Sequence, residues 1–147
     1  MKTIKYALSI VLAIVLLAFS SCKNGSSDPT PSEIEKRLTD LQNGGSNWVL
    51  GSVSKDGYDV TDQFTGFKLT IGEYTYTTIN SLSPVWEASG TWAFQNDDPN
   101  MVVRGDGVVI AVVLGNNTLD LTFNAQGSSG GRIDSVAGEY QFHLVGE

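Results

Sequence analysis

The chain has 147 residues, a single cysteine and a formal net charge of −7. This length suits one domain, and a lone cysteine excludes a disulfide within the chain. The acidic balance disfavours nucleic acid and anionic membrane surfaces as partners, and it favours solubility or a basic partner.

The N-terminal segment has the features of a bacterial lipoprotein signal. Lys2 and Lys5 precede an apolar run over residues 6–19, which is too short to cross a bilayer comfortably. Two serines then lead directly into Cys22, and "LAFSSC" resembles a lipobox, whose cysteine is acylated and becomes the new N-terminus. The sequence therefore predicts a signal peptide over residues 1–21 and a lipidated Cys22. The alternative is an ordinary secreted protein with an incidental cysteine.

Lipidation of Cys22 would place the protein in the bacterial cell envelope as a membrane-anchored lipoprotein, with the outer membrane favoured over the inner. A diacylated, N-acylated cysteine supplies more than the single acyl chain that binds membranes only marginally. Signal cleavage also removes Lys2 and Lys5, which leaves seven of the nine Lys and Arg residues against sixteen Asp and Glu. The mature chain is therefore acidic.

A polar tether and one short helix are predicted next. Residues 22–31 show no hydrophobic period, whereas residues 32–44 begin with a capping box formed by Ser32 and Glu35. Ile34, Leu38 and Leu41 form one narrow apolar stripe. So short a helix must pack this stripe on something larger.

Residues 45–147 are predicted to form an all-β domain. Apolar and polar residues alternate in eight short runs separated by turn residues. Such runs favour an eight-stranded antiparallel up-and-down barrel, because closure removes exposed strand edges. A β-sandwich is the alternative, but it requires longer crossovers. The runs are "WVLGSV", "FKLTI", "YTYTTI", "SGTWAF", "MVVR", "GVVIAVVL", "TLDLTF" and "GEYQFHLV".

Three turns predict which side chains share a face, because the residues flanking a two-residue turn point the same way. The apolar groups so predicted are Phe67, Leu69 and Ile71 with Tyr74 and Tyr76 across Gly72-Glu73; Ile110, Val112 and Leu114 with Leu119, Leu121 and Phe123 across Asn116-Asn117; and Met101 and Val103 with Val108 and Ile110 across "RGDG". Trp92, Phe94, Tyr140 and Phe142 are also expected inside.

The run "GVVIAVVL" is apolar on both faces, so Val109, Ala111 and Val113 need cover on the outside of the barrel. The stripe on the short helix is the expected cover, and a second subunit is the alternative.

Four segments, "NWVLGSVSKDG", "SPVWEASGTWAF", "VVRGDGV" and "NTLDLTF", resemble the lipocalin-like domains of small Bacteroidota-type lipoproteins, a domain family of unknown function. The resemblance covers residues 45–145. It implies a lipocalin-like barrel, and such a barrel is wide enough either to be filled by side chains or to hold one small ligand.

Catalysis is not expected. The one histidine, His143, falls on the outward face of its strand, and no partner for it can be nominated. None of the common hydrolase, protease or nucleotide-binding motifs appears. The sequence therefore predicts a binding protein with no metal and no cofactor.

Two binding functions stay open: a small apolar or amphipathic ligand inside the barrel, or a glycan or basic protein held by the loops. Tight turns close one end, so entry is expected at the other, beside the connections over residues 54–63, 80–89 and 124–137. Trp86 is expected exposed there, beside Asp56, Asp59, Glu87 and Asp134. The predicted ligand-binding residues are Tyr58, Tyr74, Tyr76, Trp86, Trp92, Arg132 and Tyr140.

Overall fold

The computed structural model of the chain describes residues 32–43, 46–127 and 136–147. The predicted signal peptide, Cys22 and the tether lie outside the described residues, as do Arg132 and Asp134. No helix in the described part of the chain is both long and apolar enough to span a bilayer.

One α-helix, nine strands and a 3₁₀ turn make up the regular structure of the described residues. The helix is α1 (Glu33–Gln42), and the 3₁₀ turn is Thr61–Phe64. The strands are β1 (Trp48–Lys55), β2 (Tyr58–Asp59), β3 (Lys68–Ile71), β4 (Thr75–Ile79), β5 (Ser89–Gln95), β6 (Asp98–Arg104), β7 (Val109–Leu114), β8 (Thr118–Ala125) and β9 (Gly138–Gly146).

Eight of these strands close an antiparallel barrel. From β3 to β9 each strand pairs with the next in the chain, and β1 pairs with both β3 and β9. The β1–β9 pairing runs from Trp48 opposite Gly146 to Lys55 opposite Tyr140, so it closes the barrel along the whole of β1. The two-residue β2 only extends the edge of β1 as a hairpin. The predicted eight-stranded up-and-down barrel with one short helix is confirmed.

Two of the three predicted turns keep the predicted faces. Asn116-Asn117 is the β7–β8 turn, with Leu114 opposite Leu119. The β3–β4 turn is shifted by one residue, because Gly72 N donates to Thr75 O and Ile71 lies opposite Tyr76. Tyr76 therefore points inward as predicted. The inward position predicted for Tyr74 is wrong, since this residue lies in the turn at φ 56° and is 42% exposed.

The "RGDG" turn reverses the predicted face of β6. Arg104 N donates to Val108 O, which leaves a three-residue loop in which Gly107 has φ 87°. A residue with positive φ at the end of a three-residue hairpin loop is a common solution, and glycine adopts it without strain. An odd loop inverts the parity of the strand before it. Met101 therefore lies opposite Ala111 on the outer face, and so does Val103 opposite Val109, contrary to the predicted grouping.

α1 closes one end of the barrel. The predicted capping box is present: Glu35 N donates to the Ser32 hydroxyl, and Ser32 N donates to the Glu35 carboxylate. The helix ends at Gln42, and Asn43 follows in the left-handed conformation. Leu41 is buried against the core, and its carbonyl accepts from Trp48 Nε1 at 2.8 Å.

The prediction that this helix covers the outside of β7 is wrong. The hydrogen bond from Trp48 Nε1 to Leu41 O places the last turn of α1 at the end of the barrel where β1 begins. Val113 on the outer face of β7 is 62% exposed, and Val109 is also exposed. The outer face of β7 thus stays exposed at Val109 and Val113, while α1 packs over one end of the barrel.

The two ends of the barrel differ. We call the end that carries α1 and the β3–β4, β5–β6 and β7–β8 turns the α1 end. We call the opposite end, with the β1–β3, β4–β5, β6–β7 and β8–β9 connections, the long-connection end.

Candidate functional site

The long-connection end is filled from inside by its own connections. The 3₁₀ turn places Phe64 in the interior, and the β4–β5 connection adds Val85 and Trp86. Trp86 is only 3% exposed, so its predicted position on the surface is wrong. A large ring gains more from burial than from a place on a loop surface, and an open barrel end offers room for it.

Aromatic contacts hold Trp86 in the middle of the barrel. Its ring makes edge contacts with Tyr76 and Phe123, at centroid distances of 5.4 and 5.5 Å. It also lies 6.1 Å from Phe67 and 6.1 Å from Phe142. These rings form a continuous aromatic cluster across the long-connection half of the interior.

Arg104 is the buried charged residue that locks this cluster. Its side chain is almost fully buried; Nη1 donates to Val85 O at 2.7 Å, and its guanidinium carbon lies 4.7 Å from the Trp86 ring centroid. Asp106 accepts from Nη2 at 2.6 Å and from Nε at 3.2 Å. Such a bidentate pair fixes the guanidinium plane as well as its charge. Arg104 thereby ties the β4–β5 connection to the β6–β7 loop.

Hydrogen bonds keep the Asp106 carboxyl ionised. Burial on its own would raise the pKa of the carboxyl, but the hydrogen bonds from Arg104 and from the Val108 amide outweigh it. The pKa of Asp106 therefore lies below its usual range. The Asp106 carboxylate is charged at neutral pH.

A cavity of about 40 Å³ remains between α1 and Trp86. This volume exceeds what one water molecule needs, but pockets for drug-sized ligands measure about 300–1,000 Å³. The cavity wall is apolar, so it offers a ligand dispersion and hydrophobic contacts. The lining residues are Leu41, Leu69, Ile71, Tyr76, Trp86, Trp92, Val102, Arg104, Ile110, Val112 and Leu121.

Three of the predicted ligand-binding residues meet at this cavity: Tyr76, Trp86 and Trp92. Burial raises the pKa of the Tyr76 phenol, with the nearby Arg104 acting in the opposite direction. Trp92 Nε1 donates to Thr75 O at 3.1 Å. The tyrosine and the two tryptophans therefore present mainly ring surface to the cavity.

The other described candidates lie elsewhere. Tyr58 is 77% exposed on β2, and Tyr74 packs on the outer side of the Trp92 ring at a centroid distance of 5.7 Å. Tyr140 is buried in the aromatic cluster, where its hydroxyl donates to Val136 O at 3.0 Å. Burial raises the pKa of Tyr140, and the neighbouring Asp56 charge adds to the effect. The Tyr140 hydroxyl thus has a partner from the protein itself.

His143 points outward, as predicted. Its Nδ1 lies 2.6 Å from Asp120 Oδ1, and both side chains are nearly half exposed. Cross-strand register produces this pair, because Asp120 on β8 stands opposite His143 on β9. The sequence pattern misses it, since the partner is set by register and not by spacing. The described ranges contain no group of three or more His, Cys, Asp or Glu placed to hold a metal ion.

Two buried side-chain nitrogens in the described residues lack a hydrogen-bond acceptor. They are Nε1 of Trp86, whose ring lines the cavity, and Nδ2 of Asn43, which follows α1. A buried polar group without a partner costs roughly 1–3 kcal/mol. Sequence spacing gives no signal for either atom.

Arg104 is the residue at this site that sequence reasoning overlooks. The signal was present in "RGDG": an arginine before a glycine-bearing loop, with an aspartate two residues later, forms a local ion pair if the loop has three residues.

Comparison of the chain with protein-family models, with curated proteins and with solved structures finds no match in any of the three.

Proposed function

We propose that this chain is a membrane-anchored lipoprotein of the bacterial cell envelope whose barrel binds a small apolar or amphipathic molecule without catalysis. The observation that carries the proposal is the apolar cavity between α1 and Trp86, which stays open although aromatic rings fill the rest of the interior. Ligand sites in proteins are typically concave and mainly apolar, with few polar groups.

The size of the cavity limits the size of the ligand that the closed barrel can hold. In its closed form the cavity admits only a few carbon atoms, so a longer molecule must occupy space that Leu41 now fills. Each buried methylene contributes about 0.8 kcal/mol. An aliphatic chain that replaces Leu41 and fills the cavity therefore gains enough contact for reversible binding.

The proposed anchor supports an apolar ligand. Ser32, the N-cap of α1, lies ten positions after Cys22 in the sequence. A fully extended chain of that length spans at most about 35 Å. A lipidated Cys22 would thus keep the start of α1 close to the membrane, where apolar molecules concentrate.

The glycan alternative loses its main support, because Trp86 lies in the interior and offers no sugar-stacking surface. Binding of a basic protein keeps only the acidic charge of the chain in its favour. Neither has a specific contact in the described residues that argues for it.

Replacing Cys22 with serine should block processing and anchoring. The hydroxyl cannot take the thioether-linked lipid, so the Cys22→Ser precursor is expected to keep residues 1–21 and to leave the detergent phase. Intact-mass measurement and detergent-phase partitioning of cells that express each form would check this. A Cys22→Ser variant that partitions with lipid at the unchanged mature mass would show that Cys22 is not the anchor.

Ligand binding can be located with two adjacent residues of β7. Val112 lines the cavity, whereas Val113 points to solvent. We expect cis-parinaric acid, a fluorescent aliphatic probe, to bind the chain with energy transfer from tryptophan. Val112→Leu adds a methylene to the cavity and should weaken binding about tenfold, because one methylene in an apolar pocket is worth about that much.

Val113→Leu is the matched control, since the same change on the outer face should leave affinity unaltered. Equal affinities for the two variants would place the probe outside the barrel. An absence of saturable binding to the unmodified chain would reject the proposed function.

A further inference from the structure

We propose that α1 is the gate of the interior cavity, and that a ligand enters at the α1 end and not through the long connections. The inference rests on the proposed ligand-binding function, and it names the route to the same site.

Within the described residues, hydrogen bonds and ring contacts hold the connections of the long-connection end together from inside the barrel. Arg104 Nη1 donates to Val85 O at 2.7 Å, while Asp106 holds the same guanidinium through two further hydrogen bonds. Phe64 adds an edge contact to Phe142 at 5.0 Å between centroids. Opening this end would break the buried hydrogen bond from Arg104 to Val85 and expose several aromatic rings. Both changes are costly.

α1 is attached much more lightly. Of its ten residues only Leu41 is buried, and Leu38 is partly buried against the core. Two polar contacts join the helix to the barrel: the Trp48 indole to the Leu41 carbonyl, and Arg37 Nη2 to Asn100 Oδ1 at 2.8 Å on the exposed surface. Asn43 Nδ2, directly after the helix, is buried without an acceptor, so movement of this joint into water would relieve a cost.

Displacement of α1 would open the cavity without breaking the barrel. Leu41 is part of the cavity wall, and removing it exposes the space beneath to solvent. The hydrogen-bonded circuit from β1 through β9 does not include α1. The capping box between Ser32 and Glu35 lies within the helix, so it moves with the helix intact.

Two alanine variants at opposite ends of the barrel test the route. Leu41→Ala loosens α1, and Val85→Ala makes a comparable deletion of a fully buried aliphatic group at the long-connection end. In stopped-flow mixing of the full chain with cis-parinaric acid, Leu41→Ala should raise the association rate about tenfold, since lost core contacts weaken docking of the helix. Val85→Ala should leave the rate unchanged.

Two milder substitutions on α1 control for a general loss of structure in Leu41→Ala. Arg37→Ala removes the hydrogen bond to Asn100 and should raise the association rate about two- to fivefold, the scale of an exposed polar contact. Lys36→Ala, on the adjacent exposed residue of α1, should leave it unchanged. All four variants should keep the far-ultraviolet circular-dichroism spectrum of the unmodified chain, which shows that the barrel remains folded.

Faster association in Val85→Ala alone, or equal acceleration in Val85→Ala and Leu41→Ala, would contradict the proposal that α1 is the gate. Neither result would contradict the proposed ligand binding. Saturable binding with no change of rate in either Leu41→Ala or Arg37→Ala would also contradict the gate. If the probe binds neither the unmodified chain nor any variant, the proposed function itself fails and the gate with it.

Discussion

Trp86→Ala is expected to lower the free energy of unfolding by about 4 kcal/mol, the upper part of the range for a large buried ring replaced by alanine. The substitution removes the ring that contacts Tyr76 and Phe123 and that the Arg104 guanidinium overlies. Neighbouring rings cannot collapse into the space fully, because Tyr76, Phe123 and Phe142 are each fixed by their own strand. Urea denaturation followed by far-ultraviolet circular dichroism measures the difference.

Trp86→Phe is the control for this prediction. The Trp86 Nε1 has no hydrogen-bond acceptor, so phenylalanine loses no bond and leaves only a small void. Its cost should be about 1–2 kcal/mol. Added indole should recover part of the stability of Trp86→Ala, since apolar cavities bind apolar molecules of matching shape. A loss below about 1 kcal/mol in Trp86→Ala would instead mean that this tryptophan lies on the surface.

The strands and their closure are predictable from sequence because alternation of apolar and polar residues reports directly on a two-sided sheet. The β7–β8 turn shows this best: Gly115 and Thr118 flank Asn116-Asn117 as predicted, and every following pair keeps its face. A one-residue shift of the β3–β4 turn on both strands also keeps parity, so Tyr76 remains inside.

The alternation of apolar and polar residues does not predict a strand's faces where they depend on the conformation of a loop. The three-residue loop after Arg104 depends on the positive φ of Gly107, which a sequence of two glycines around an aspartate does not specify uniquely. Because this loop has an odd number of residues, it exchanges the faces of β6. Arg104 moves into the core, and Met101 moves out of it.

The candidate site is predicted only in part for a related reason. Tyr76 and Trp92 lie on strands, and alternation places both of them at the cavity correctly. Trp86 lies in a connection, where no period constrains the direction of the side chain. Its position follows from packing: the open barrel end and the buried guanidinium of Arg104 together make the interior the favourable place for the ring.

Asp106→Asn is expected to destabilise the protein by about 2 kcal/mol at neutral pH. The amide cannot carry the charge that balances Arg104, whose side chain is almost fully buried. Loss of one partner from a fully buried pair costs about 3–5 kcal/mol, and the 40% exposure of Asp106 reduces that cost because water already screens the interaction of its carboxylate with Arg104. Urea denaturation of both proteins under identical conditions measures the difference.

Asp120→Asn is the matched control, because it breaks the exposed pair with His143 and should cost less than about 1 kcal/mol.

The pH dependence of the stability difference gives a second check. Since folding lowers the pKa of Asp106, its contribution is fully present above the ordinary carboxyl pKa of about 4 and is lost as the pH falls through the lower folded value. The stability difference between the unmodified chain and Asp106→Asn should therefore shrink below about pH 4. A difference that persists unchanged at lower pH, or an equal cost for the two asparagine variants at neutral pH, would contradict an ion pair that closes the long-connection end through Arg104.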